Sequence, residues 1–226
     1  MPGPSGVPPF PNCTSADVVQ MTRHRAPLLV ALVLVVTAAL VISGIAPYDR
    51  PTWLLEVFPA LIALPLLAVT YRRFGLTTLA YCLVAVHALI LIYGGAYTYA
   101  RVPLGFMLQE WFELARNPYD RIGHFAQGFV PAILAREILL RTSPLRRGKW
   151  LNFLVVCVCL AISASYELFE WAAAVVLGQG ADEFLGTQGD PWDTQSDMGM
   201  ALIGAIAAVA LLSRWHDRQL AELGKG

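Results

Sequence analysis

Three short stretches of this 226-residue chain pair acids, or an acid and an imidazole, at helical spacing. Asp120 and His124 stand at i,i+4, Glu167 and Glu170 at i,i+3, and Asp193 and Asp197 again at i,i+4, so each pair shares one face of a helix. Carboxylates brought together at low dielectric disfavour one another's charge unless something positive joins them. Arg121, next to Asp120, is one such partner, and a divalent cation is another. Carboxylate-rich sets suit magnesium, manganese or calcium, and a histidine in the set also admits zinc or iron. On this reading His124 and Glu167 are the candidate catalytic acid–base residues and Glu170, Asp193 and Asp197 the candidate metal ligands. Asp120, Arg121 and Asp190 support them. Asp193 also suits the cap of a helix that follows it. A structural polar cluster and a proton or ion path are the alternatives to a bound metal.

The elements that hold these residues are membrane helices. Hydrophobic residues make up 57% of the chain and charged residues 14%, where a soluble globular chain carries about 25% charged residues. With a mean hydropathy of +0.57, this argues against a water-soluble enzyme, a disordered chain and a fibrous protein. Sixteen basic and sixteen acidic residues leave no net charge, and so no electrostatic case for a nucleic-acid partner. A crossing needs about 20 apolar residues. Residues 26–46, 53–70, 76–100 and 150–177 meet that length, and 198–213 does so if the residues from Trp192 on join it. Residues 122–140 hold His124, Gln127, Arg136 and Glu137, but their centre is apolar, and a membrane helix tolerates Pro131. The expected fold is therefore all-α: a bundle of six transmembrane helices over residues 26–213. Residues 1–25 are expected to be a disordered tail and residues 214–226 a second tail.

Loop charges support the weak span. Eleven Lys and Arg fall in the tails and in the second and fourth loops, against four in the remaining loops. The positive-inside rule then places both termini in the cytoplasm of a multi-pass inner-membrane protein. Glu167 follows Trp150 by 17 residues, about 25 Å of helix across a core of about 30 Å, which puts it just beneath the outer surface. Asp120, His124, Asp193 and Asp197 reach the same depth from the starts of two other spans. In the third loop Leu104, Met107, Leu108, Trp111, Phe112 and Ala115 follow helical spacing, with polar residues opposite. That predicts a short amphipathic helix in the outer interface, or one packed on the bundle.

Other features read as structural. His87 is expected to be a hydrogen-bonded bundle histidine, and Arg136 and Glu137 to be served by snorkelling or by an Arg141–Glu137 pair. The small residues of 199–208 permit close helix packing, and Gly128 lets a backbone or ligand come near. The cysteines form no zinc-binding C-x-x-C spacing.

Three motifs carry a resemblance: Tyr119-Asp120-Arg121-Ile122-Gly123-His124-Phe125, Ser165-Tyr166-Glu167-Leu168-Phe169-Glu170-Trp171, and the run from Leu185 to Met198 with Gly189-Asp190-Pro191-Trp192-Asp193 at its heart. Over residues 71–213 the chain resembles the YjdF-like family of uncharacterised bacterial inner-membrane proteins. More distantly, the order of motifs is similar to VanZ-like membrane proteins, which are linked to glycopeptide-antibiotic tolerance. That likeness implies site roles for Asp120, His124, Glu167 and Asp193. Glu170 and Asp197 depart from it and make the site more acidic.

Two functions follow as expectations. One is a membrane enzyme acting at the outer leaflet on a lipid or lipid-linked substrate, with a divalent metal to polarise a phosphate or ester. The other is a non-catalytic protein of transport, ion binding or envelope stress. The chain has no H-E-x-x-H, G-x-S-x-G or Walker loop, and no visible inverted repeat.

Overall fold

The computed structural model describes residues 15–177 and 187–223. The leader before Ser15 and the loop acids Asp182 and Glu183 lie outside the described residues. Seven helices and no strand occur among those described: α1 Ser15–Ile45, α2 Arg50–Thr70, α3 Thr78–Ala96, α4 Pro103–Trp111, α5 Tyr119–Thr142, α6 Lys149–Leu177 and α7 Asp193–Leu223. Helix α1 begins ahead of the apolar run, so the tail expected over residues 1–25 is helical from Ser15 on. At the other end α7 carries the chain without a break through the expected tail as far as Leu223.

Local chemistry sets the helix starts. Asp49 caps α2 by accepting from the Thr52 amide at 2.8 Å, with a proline in the first turn whose missing N–H costs nothing there. Thr77 caps α3 by accepting from the Ala80 amide. A proline likewise opens α4.

Five helices are long and apolar enough to cross a membrane: α1 from Arg25, α2, α3, α6 and α7. Helix α5 is the expected span that does not qualify by composition, because Asp120, Arg121, His124, Arg136, Glu137 and Arg141 all lie on it. It is nevertheless the centre of the bundle. Helices α7, α6 and α3 pack around it, and α1 and α2 pack on α3. The α5–α7 contact is the most extensive, and two glycines allow it. A Cβ on Gly128 would collide with the Ala201 carbonyl oxygen, and one on Gly204 with the Phe125 carbonyl oxygen. Small residues thus bring the two backbones together, as expected of residues 199–208 and of Gly128.

The long helices alternate in direction. The Tyr48 amide reaches the Ala96 carbonyl at 3.0 Å, joining the ends of α1 and α3. The start of α3 meets the late turns of α5 and α7, where Leu79 donates its amide to Gln219. One end of the bundle therefore holds the start of α1 and the end of α7. Glu137 lies there, fully buried. It accepts from the Thr77 amide at 3.0 Å, the Thr77 hydroxyl at 2.7 Å and Arg141 at 2.7 Å. Arg136 does not snorkel. It is 2% exposed and donates to His216 Nδ1 at 3.0 Å and to Asp217 at 2.7 Å. A guanidinium can only donate, so His216 Nδ1 accepts, and its Nε2 carries the proton given to Glu137 at 3.0 Å.

Candidate functional site

At the opposite end, the first turns of α5 and α7 meet the late turns of α6. The glycine-permitted approach of α5 and α7 sets this register, so that His124 faces three carboxylates. Its Nε2 is 3.5 Å from Asp120 Oδ1 and 3.8 Å from Asp197 Oδ2, and its Nδ1 is 3.7 Å from Glu167 Oε1. Nδ1 also lies 3.2 Å from Gln127 Oε1. All four ionisable side chains are buried. Asp120, His124 and Asp197 each offer a ligand atom, and the three atoms lie within 4.8 Å of one another, a group that could hold a metal ion.

The chemistry of this donor set fits a cation. Glu167 Oε1 and Asp197 Oδ1 are buried with no hydrogen-bond partner among the described residues. A buried carboxylate oxygen without a donor is costly, and a cation meets that need. His124 has the two-sided arrangement of a metal-bound imidazole. Nε2 faces the two ligand carboxylates, and Nδ1 faces a glutamate and an amide that would fix the tautomer.

The expected ligand set is divided by the structure. Asp197 stands in the candidate triad. Asp120, expected as a supporting residue, joins it. Asp193 is instead held by Arg116, whose Nη1 makes a close ion pair with Asp193 Oδ1. Glu170 is buried beside the same cluster and lines a cleft with Glu56, Asp120 and His124. Arg121 pairs with Asp190 at 3.2 Å, outside the triad. His87 also lines the cleft, and its Nε2 has no partner among the described residues, contrary to the hydrogen-bonded histidine expected there.

Two site residues escaped the sequence reading. Arg116 is the principal cation, touching Asp193, Asp190 at 3.6 Å and Asp120 at 3.4 Å, and donating to the Thr187 carbonyl at 2.8 Å. Burial alone would lower its pKa. The hydrogen bond and charge of Asp193, with Asp120 and Asp197 behind, outweigh this and hold it above the usual arginine value. The adjacent Asn117 exchanges two main-chain hydrogen bonds with the Gln188 side chain, at 3.1 and 3.0 Å. Together these pin the segment before α7 over the site. Glu56 is the second omission. It is buried on α2 and accepts from the Tyr166 hydroxyl at 3.3 Å. An acid within an apolar span was the available signal. Tyr99, in the turn after α3, also faces the cleft. Burial first, and then the nearby Glu56, hold its phenol well above the usual range, so it stays a neutral donor.

Helix α4 is shorter than expected, ending at Trp111, with Glu113 in a left-handed conformation at φ 51°. Leu104, Met107, Trp111 and Phe112 remain exposed, and Gly105 seats the helix against Asn117.

The family model described as "Predicted membrane protein (DUF2238)" matches residues 28–218. The chain is 56% identical over 205 residues to "Inner membrane protein YjdF" of Escherichia coli (strain K12), covering 90% of this chain and 98% of that protein. No solved structure matches. The likeness to VanZ-like proteins is not shown by these comparisons. By the extent of both matches, the chain belongs to the DUF2238 family of predicted membrane proteins.

Proposed function

We propose that this protein crosses the inner membrane six times, with both termini in the cytoplasm. It binds a divalent cation at Asp120, His124 and Asp197 near the outer boundary, and there acts on a lipid or lipid-linked substrate. The single observation that carries the reading is the buried triad beside two orphaned carboxylate oxygens. The sixth crossing is α5, whose polar side chains are met by α3, α6 and α7 rather than by lipid. The start of α1 and the end of α7 share the Lys- and Arg-rich end of the bundle, which supports the cytoplasmic placement of both termini.

When bound, a divalent cation supplies Lewis acidity towards a phosphate or ester oxygen and lowers the pKa of a coordinated water. The chain's own residues do the rest. Asp120, His124 and Asp197 hold the cation. Glu167, behind His124 Nδ1 and with a free oxygen, fixes the imidazole and is the group placed to accept a proton. Arg116 and the segment it pins exclude water from one side. The exposed apolar face of α4 lies in the interface where lipid is met.

Thermal melts of the purified protein with and without chelator test the site. Chelator is expected to lower the melting temperature of wild type, because repulsion among the acids is then uncompensated. Asp197→Asn keeps the shape and removes one negative charge. It is expected to melt higher than chelated wild type and to respond little to chelator. A wild type indifferent to chelator, with Asp197→Asn less stable in both conditions, would make the acids a structural cluster.

A further inference from the structure

Helix α2 packs on α3 and touches α6 through the Glu56–Tyr166 hydrogen bond and the stacked rings of Phe58 and Phe169, 6.3 Å apart. Past these contacts a cleft of about 540 Å³ runs between α2, α3, α5 and α6, a size that suits a ligand of many heavy atoms. Its wall chemistry changes along its length. At the site end it meets Glu56, Asp120, His124 and Glu170. Beyond Gln127 the walls are mainly apolar, made by Ala63 and Leu67 of α2, Val84 of α3, and Val130, Leu134 and Ile138 of α5, with the Thr70 and Thr142 hydroxyls at the far end bonded to carbonyls of their own helices. From Val130 to Ile138 is about 12 Å of helix, close to the depth of one leaflet, about 15 Å. Leu66, Ile138 and Ile162 line the cleft and are exposed, so it opens sideways from the bundle.

The charges at the closed end select the headgroup. Among the described residues, no Lys or Arg lines the cleft. Glu56 and Glu170 are acids of the cleft that the ligand triad does not use. Glu170 is 9% exposed, with no hydrogen-bond partner among the described residues, and Glu56 has only the Tyr166 hydroxyl. Two buried carboxylates facing a lipid-accessible cleft call for a hydrogen-bonding cation at the top of an acyl chain. We infer that the cleft binds one acyl chain of a phospholipid bearing a primary ammonium headgroup, with the ammonium between Glu56 and Glu170 and the lipid phosphate beside the Asp120–His124–Asp197 triad. This deepens the proposed function by naming the substrate class, and rests on reading that cluster as a ligand site.

The test is lipid retention by the full chain in detergent, read by native mass spectrometry. Phosphatidylethanolamine and phosphatidylglycerol with identical acyl chains are supplied in equal amounts, with chelator present. Wild type is expected to retain phosphatidylethanolamine about tenfold better, the preference that one charge-assisted hydrogen bond supplies. The double variant Glu56→Gln/Glu170→Gln should lose the preference and still retain lipid. Ala63→Trp and Leu134→Trp, each filling the apolar part of the cleft, should lose both lipids while keeping the chelator response of their melting temperature. Equal retention of the two lipids by wild type, retention of neither, or undiminished retention by both tryptophan variants would overturn the assignment. Selective retention in a protein whose melting ignores chelator would support the lipid assignment while removing the metal, so the two readings fail separately.

Discussion

The two ends of the bundle each bury a histidine among carboxylates, and they do so in opposite ways. At the end that holds the start of α1 and the end of α7, Glu137 is fully buried and meets Thr77, Arg141 and His216, while Arg136 ties His216 to Asp217. Apart from Arg136 Nε, that cluster is closed. At the other end His124 stands 3.5–3.8 Å from three carboxylates, none of them within good hydrogen-bond distance. Oxygens of Glu167 and Asp197 have no partner there among the described residues. The difference shows how to read buried charge. A set whose donors and acceptors are matched holds helices in register, whereas a set with acceptors in surplus leaves room for a cation, the reading proposed above.

The largest expected effect lies in the closed cluster. Glu137→Ala strands Arg141, His216 and the Thr77 amide and should cost about 3–5 kcal/mol, the usual result of removing one partner of a buried ion pair. Denaturant unfolding in detergent measures this. The sharper contrast is of sign: Glu137→Gln should destabilise the metal-free protein where Asp197→Asn stabilises it. Equal signs would mean that the two clusters are of one kind.

Arg116→Gln is expected to act less strongly and in two directions. It removes the charge-assisted hydrogen bonds to Asp193 and Asp120, worth about 1.5–3 kcal/mol together if one of them dominates. It also leaves the site more negative, so the rise in melting temperature on adding a divalent cation should exceed that of wild type. A cation response smaller than wild type would place Arg116 outside the electrostatics of the triad.

The same contrast explains what the sequence made legible. The pairs on α5, α6 and α7 could be read because residues three and four apart share a face whatever the helix packs against. The alternation of loop Lys and Arg could be read for the same reason, since it depends only on chain order, and it agrees with the alternating directions of the long helices. What could not be read depends on how α5 and α7 slide past each other. Gly128 against Ala201 and Gly204 against Phe125 fix that register. The register brings Asp197 to His124, leaves Asp193 to Arg116, and sets His216 against Arg136 across 80 positions of sequence. Arg116 was missed because it falls where the polar face of an amphipathic helix was expected, beyond the end of α4. Glu56 was missed because a single acid near the end of an apolar run has no neighbour in sequence to mark its role. Helix α5 fails a composition test for a membrane span for the very reason that it is central: its charges face protein at both ends.

On the proposed reading the unsatisfied cluster holds a divalent cation and the satisfied one does not. The most direct measurement is the metal content of the protein, purified without a metal-affinity step, dialysed against a mixture of divalent cations and then gel-filtered. Wild type and Glu137→Gln should each carry about one equivalent, the occupancy of a single ligand set such as the triad, and Asp120→Asn, His124→Ala and Asp197→Asn should carry almost none. A metal-free wild type, or a metal content unchanged in all three triad variants, would contradict the account.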